Sequence, residues 1–213
     1  MEIVKNNKGS GIFVQIGAGA GDLDPRANNR DGFAEFVKSL PYQRIRQIIL
    51  VEPNPINISL LQKCYETYPQ AKIFQVAITP KHLSHQTLDF FYAEDDGPHF
   101  QVASINKQHI IKHYGHSAKI SSIQVPTMDL SSFLNETLGH DEIELLALDI
   151  EGIDADVILD TDFNEMNVTF LSFEYIHLGN KEKEVTRYLN DCNMVFRGQG
   201  VDHNGFDYLY EKR

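Results

Sequence analysis

No apolar run in this sequence approaches the ~20 residues needed to cross a bilayer, and the opening MEIVKNNKGS lacks the apolar core of a signal peptide. Neither membrane insertion nor secretion is expected. Cysteine is scarce: Cys64 and Cys192 lie far apart without metal-type spacing, which reads as reduced thiols in a cytoplasmic protein. Basic clusters are missing as well. The net charge is −11 with Lys and Arg scattered, so the footprint for a phosphate backbone is absent and nucleic acid is disfavoured as a partner. There is no internal repeat, low-complexity tract or domain linker. What remains, 213 residues of which 42% are hydrophobic and 23% charged, fits one globular domain over residues 1–213. Nothing in it sets an oligomeric state.

The stretch that organises the rest is GIFVQIGAGAGD, residues 11–22. Ile12, Phe13, Val14 and Ile16 read as a buried strand, and Gly17, Gly19 and Gly21 as a turn that a ligand approaches closely. Glycine lacks a Cβ and tolerates positive φ, so backbone N–H groups can face a ligand at contact distance.

Residues 23–32 are polar and turn-rich, an inserted surface loop. A helix is predicted over Phe33–Leu40, a buried strand over Gln47–Val51, a helix with Ile58, Leu61, Cys64 and Tyr65 on one stripe, and a third strand over Lys72–Ile78. Residues 80–127 are less regular. Thr87–Ala93 reads as a strand, Glu94–Phe100 as a loop and Ile105–Tyr114 as a short helix. Pro126 demotes Ser122–Thr127 to an edge strand or strand end. A helix starts near Met128, a strand covers Glu144–Ile150, a helix includes Ala155–Leu159, and a strand covers Val168–Phe173. Lys181–Asn190 is helical, and MVFRG with FDYLY closes the chain as a β-hairpin. The alternation predicts an α/β, doubly wound, Rossmann-like and mostly parallel sheet with a C-terminal antiparallel hairpin.

Ligands of such sheets bind outside the carboxyl ends of the strands. Those ends carry Gly17–Asp22, then Glu52, then Ala77 and Thr79, then Asp149 to Gly152, then Glu174 to His177. Glu52 is placed to accept two hydrogen bonds from a ribose diol. It follows the last glycine by about 30 residues against the ~20 of dinucleotide folds, and the insertion accounts for the surplus. A nicotinamide fingerprint needs glycine at position 22, where this chain has Asp22, and no Gly-Lys-Ser/Thr follows for a P-loop. Carboxylates around the cleft suit a cationic ligand such as a sulfonium better than a pyrophosphate.

VQIGAGAGD, VEPNP before a Leu-Leu helix, QVAI, LLALDIEG, LSFEYIH and the terminal GFDYLYEK together resemble the FkbM-type family of S-adenosylmethionine-dependent methyltransferases. The resemblance covers the chain from Gly11 onward, apart from the insertion and a middle region where Ala103-Ser104 alone is familiar. It implies a class I methyltransferase fold with S-adenosylmethionine as cofactor. Gly17, Ala18, Gly19 and Gly21 would line the methionine moiety, with Asp22 near its ammonium. Glu52 would hold the ribose, Pro53 and Asn54 would lie beside the adenosine, and Gln75, Val76 and Ala77 near the adenine. Asp149 and Glu151 would face the reacting end.

For a hydroxyl acceptor, the candidate bases are His177, Glu151, Glu174 and Asp149. His177 has a suitable ordinary pKa, and Glu151 could instead serve the start of the next helix. No metal is expected. Acids around the helix start serve its dipole, and His109, His113 and His116, lacking the H-E-x-x-H glutamate, read as a solvated face interrupted by Gly115. The expected activity is O-methylation of a small-molecule or glycan hydroxyl. The alternatives are a non-catalytic cofactor-binding or scaffold protein and an NAD(P)-dependent oxidoreductase.

Overall fold

The computed structural model describes residues 1–7, 9–24, 28, 30–96, 102–202 and 204–213. Much of the 23–32 insertion (25–27 and 29) and the end of the 94–100 loop (97–100) therefore lie outside the described residues. A short helix, α1 (Glu2–Lys5), precedes β1 (Gly11–Ile16). Then come α2 (Gly32–Lys38), β2 (Ile45–Val51), α3 (Pro55–Cys64), β3 (Ala71–Phe74) and β4 (Ala77–Thr79). The middle holds β5 (Thr87–Ala93), β6 (Ala103–Ser104), α4 (Lys107–Tyr114), β7 (Ile120–Asp129) and α5 (Leu130–Leu138). The chain finishes with β8 (Ile143–Leu148), α6 (Asp154–Asp160), β9 (Val168–Glu174), α7 (Glu182–Asp191), β10 (Met194–Gln199) and β11 (Asp207–Lys212).

Seven strands form the central sheet in the order β10-β11-β9-β8-β1-β2-β3. Strands β3, β2, β1, β8 and β9 run parallel, and β11 and β10 close the edge antiparallel. The sheet is buried on both faces, which explains the near-continuous apolar strands. Alternate side chains feed two cores. Phe13, Ile48 and Leu50 pack with α2 and α3, whereas Ile12, Val14, Ile16, Ile49 and Val51 pack with α5, α6 and α7. Each fully buried large apolar side chain stabilises the fold by about 1.5–3 kcal/mol.

The chain builds outward from β1 through β2 to β3, then returns to β1's other side with β8 and β9. The strand order thus reverses between β1 and β8, and a crevice opens at their carboxyl ends.

Two expectations for the middle need correction. The strand predicted over 72–78 is two strands, because the chain leaves the main sheet after Phe74 and enters a second sheet at Ala77. That sheet has the order β4-β7-β5-β6. Within it β7 is an inner strand, and the edge position predicted from Pro126 does not hold. Pro126 stands where β7 changes partners, opposite Thr87 at the end of the β5 pairing and one residue before the β4 pairing starts at Thr127. A missing N–H is tolerated at that handover.

Candidate active site

A cleft of about 610 Å³ opens over the switch point. Its floor is the glycine turn. Gly17 and Ala18 donate their N–H groups to Val51 O, both at 2.9 Å, which fastens the turn to β2. Gly17 has φ +82°, and a Cβ there would overlap the Asp149 carbonyl, so β1 and β8 can approach only with glycine at this position. Gly19 (φ +52°) is different. A Cβ on it would meet no protein atom within 4 Å, because it faces the cleft.

Glu52 stands beside it, 5% exposed. Its Oε2 accepts from Gly19 N at 2.7 Å, and its Oε1 from Asn54 N at 2.8 Å and Asn57 Nδ2 at 3.4 Å. Burial nevertheless pushes the carboxyl up to about 7. Pro53, Val76 and Ala77 line the cleft next to Glu52. Asn54 does not line it. Its side chain caps α3 by accepting from Ile56 N at 3.0 Å.

Asp22 is also placed differently from the expectation. Its carboxylate turns away from the cleft, accepting from Lys38 Nζ at 2.7 Å and from Cys64 Sγ at 3.1 Å, and so ties the turn to α2 and α3. Asp24 and Asp31 line the cleft instead, both from the insertion, where turn-rich sequence hid them. Asp31 also caps α2 through Ala34 N at 2.6 Å.

The far wall gathers the four expected reacting-end residues, Asp149, Glu151, Glu174 and His177. Asp149 opens onto the cleft with protein on its other sides, and burial, then Glu151 and Glu174, hold its carboxyl well above the ordinary range. Glu174 is pushed up to about 9, first by burial and then by Glu151 and Asp154. Its Oε2 is buried and accepts no hydrogen bond among the described residues. Asp207, unanticipated from sequence, adds a fourth carboxyl to this wall from the start of β11. It accepts from Ser172 Oγ at 2.7 Å and is raised by burial to about 6. Fixed positive charge is sparse here. Arg30 is the one Lys or Arg among the described residues that line the cleft.

His177 lies with Nε2 3.4 Å from Glu174 Oε2 and 3.9 Å from Glu151 Oε2. Burial lowers its pKa, so the ring holds a free lone pair near neutrality. Two more imidazoles stand behind it. His109 is buried, with Nε2 3.0 Å from Glu151 Oε2, and His113 lines the cleft; their ring centroids lie 4.8 and 5.1 Å from that of His177. The expected solvated histidine face is therefore overturned for His109, which packs on the Asp149–Gly152 turn. It holds for His116, exposed beyond the Gly115 cap of α4. The missing glutamate is supplied by Glu151, 42 residues after His109.

The turn carrying Glu151 is held under strain. Glu151 itself has φ +50°, a left-handed conformation disfavoured for a side chain of this kind. Gly152 follows at φ +88°, and a Cβ there would overlap the His109 ring.

The solved structure of human methyltransferase 10 domain containing protein superposes with a TM-score of 0.52 at 8% identity, over 98% of this chain and 76% of that one. M. capricolum TrmK in complex with S-adenosyl-homocysteine gives 0.48 at 8% identity, covering 100% of this chain and 66% of that one. Precorrin-6y C5,15-methyltransferase from Geobacter metallireducens gives 0.46 at 11%, covering 99% and 85%. At these identities the likeness speaks to the fold alone, a class I methyltransferase fold. None of the curated proteins matches the sequence. Residues 15–196, by contrast, match the methyltransferase FkbM domain, and fold and family together support S-adenosylmethionine as cofactor. With that match running from β1 into β10, the chain belongs to the FkbM-domain methyltransferase family.

Proposed function

We propose that this methyltransferase acts on oxygen, methylating a hydroxyl of a small-molecule or glycan acceptor. The observation that carries the reading is the charge of the cleft. Carboxyls lining the cleft at the ends of β2, β8 and β9 and the start of β11 are held above their ordinary range by desolvation and by one another, and they surround a turn whose Gly19 leaves space for a ligand. A cationic occupant relieves that repulsion, and a polyanion such as nucleic acid worsens it.

S-adenosylmethionine, when bound, supplies an electrophilic methyl group on a sulfonium, so the protein's own task is alignment and proton removal. Gly17, Ala18, Gly19 and Gly21 would bound the methionine end, Glu52 would accept from the ribose, and Pro53, Val76 and Ala77 would flank the adenosine. Asp22 would act at one remove, holding the turn through Lys38 and Cys64. His177, Glu151, Glu174 and Asp149 stand where an acceptor hydroxyl would lose its proton. Phe90, Ala103 and Ile105, from the second sheet and its approach to α4, also line the cleft and would contribute to the acceptor wall.

Thermal denaturation tests the reading. S-adenosylhomocysteine at a hundredfold excess over its Kd should stabilise the fold by about 2.7 kcal/mol, and NADH should not. A shift with NADH alone would move the protein to the oxidoreductases. Binding without transfer to any hydroxyl acceptor from labelled cofactor would leave a non-catalytic binder.

A further inference from the structure

The four side chains His109, His113, His177 and Glu151 converge from three separate segments. His109 and His113 sit one turn apart on α4, Glu151 on the turn after β8, and His177 just beyond β9. One ligand-type atom from each lies within 4.8 Å of all the others. The rings are packed against one another, with centroids 4.6 Å apart for His109–His113 and 4.8 Å for His109–His177. The His109, His177 and Glu151 side chains are 5%, 10% and 22% exposed.

A hydrogen-bonded cluster accounts poorly for this arrangement. Three neutral imidazoles carry three N–H donors and three lone pairs. Among the described residues they share one side-chain hydrogen bond, His109 to Glu151, and their near neighbours are acceptors. Nothing in that pairing requires three rings, His109 and His177 largely enclosed and His113 exposed to the cleft, to gather at one carboxylate. A borderline-soft divalent cation accounts for the convergence. The local backbone fits the same purpose, since the left-handed Glu151 aims the carboxylate at the rings and Gly152 makes room for His109.

We infer that His109, His113, His177 and Glu151 form a binding site for one divalent transition-metal ion of the zinc class. Imidazole-rich sets with a single carboxylate select such ions over magnesium or calcium, which take oxygen ligands. Tetrahedral bonds of about 2.0–2.2 Å place ligand atoms about 3.3–3.6 Å apart, so the cluster needs only a modest contraction. His113, Glu151 and His177 border the cleft, so an exchangeable fifth ligand can enter from the acceptor side. There it would hold and acidify an acceptor oxygen, its proton passing to solvent at the open cleft. This catalytic part rests on the methyl-transfer reading; the binding of the ion does not.

The full-length protein, stripped with chelator and titrated with Co²⁺, tests the site. The expected result is uptake of one equivalent with the intense visible absorption of a four- or five-coordinate cobalt centre, displaced by Zn²⁺. The double variant His109→Asn/His113→Asn should lose more than about 100-fold in affinity, beyond the 10–100-fold typical of outer-shell changes, whereas His116→Asn should bind as the unaltered protein does. A retained thermal response to S-adenosylhomocysteine in the double variant shows that its fold and cofactor site survive. Absence of stoichiometric uptake, a six-coordinate spectrum, or unchanged affinity in the folded double variant would overturn the site. Metal uptake without any response to S-adenosylhomocysteine would instead leave the site standing and sink the methyl-transfer reading.

Discussion

The two ends of the central sheet treat buried charge in opposite ways. At the amino end, Glu144 at the start of β8 is 4% exposed and forms an ion pair with Arg44, and it packs so closely on β1 that a Cβ at Gly11 would overlap its carboxylate. Carboxylate and guanidinium there answer each other, and the sheet end is closed. At the carboxyl end, Glu52, Asp149, Glu174 and Asp207 border the cleft, the first and last hydrogen-bonded, with no lysine or arginine ion pair among the described residues, and all four are displaced upward. The same sheet thus contains one acid that completes the fold and four whose repulsion a ligand can relieve. Where charge is left unbalanced in a shaped cleft, function is the reason to look for.

That contrast can be broken first at the closed end. Glu144→Ala strands Arg44 in a largely buried position and should lower stability by about 3–5 kcal/mol in urea denaturation, leaving S-adenosylhomocysteine affinity of the folded protein unchanged. A loss below about 1 kcal/mol would mean that the closed end tolerates unpaired charge as well as the cleft does.

The open end responds to pH. The Glu52 carboxyl titrates near 7 in the fold against 4.5 ordinarily, so its protonated form is favoured by folding. Its contribution is fully present below about pH 4.5 and is lost as pH rises through about 7, on the order of 3 kcal/mol. Unfolding free energies at pH 5 and pH 8 should therefore fall less steeply for Glu52→Gln than for the unaltered protein, whatever the variant's absolute stability. Equal slopes would remove Glu52 from the unbalanced set. Affinity for S-adenosylhomocysteine should move the other way, tightening as the carboxylate ionises to accept from the ribose.

The smallest effect separates folding from binding within the cleft. Gly19→Ala meets no protein atom, so its stability loss should be only the left-handed backbone term of about 1–2 kcal/mol. Cofactor affinity should fall by at least about tenfold, because the methyl group stands in the ligand's space. Unchanged affinity by calorimetry would show that the cofactor does not approach Gly19.

The frame of the site was legible in the sequence because it depends on periodicity. Apolar strands alternating with helices fix which residues end each strand, and that alone brought Gly17, Glu52, Asp149 and Glu174 to one cleft. Side-chain direction was not legible. Asp22 follows the glycines in sequence, but whether it faces ligand or protein depends on Lys38 and Cys64, which reach it from two different helices. The histidines failed for a related reason. The spacing of His109 and His113 was visible, but their carboxylate partner comes from the turn after β8, against which the second sheet sets α4, and of that sheet's strands only β5 and part of β7 were legible. Pro126 misled because its exclusion from sheets is a statement about N–H pairing, and β7 places it where no such pairing is due.

The hydrogen bond from Gly19 to Glu52 has a kinetic meaning. A glycine-rich turn left to itself samples many conformations, and a ligand that had to choose among them would bind slowly. Here the turn is already latched on both sides, to Val51 by two amides and to Glu52 by a third. Its disorder is removed when the chain folds, long before any cofactor arrives. Encounter then reduces to diffusion into a finished socket, with association expected within the ordinary range of about 10⁵–10⁷ M⁻¹s⁻¹ and residence time, not capture, left to distinguish one nucleotide from another.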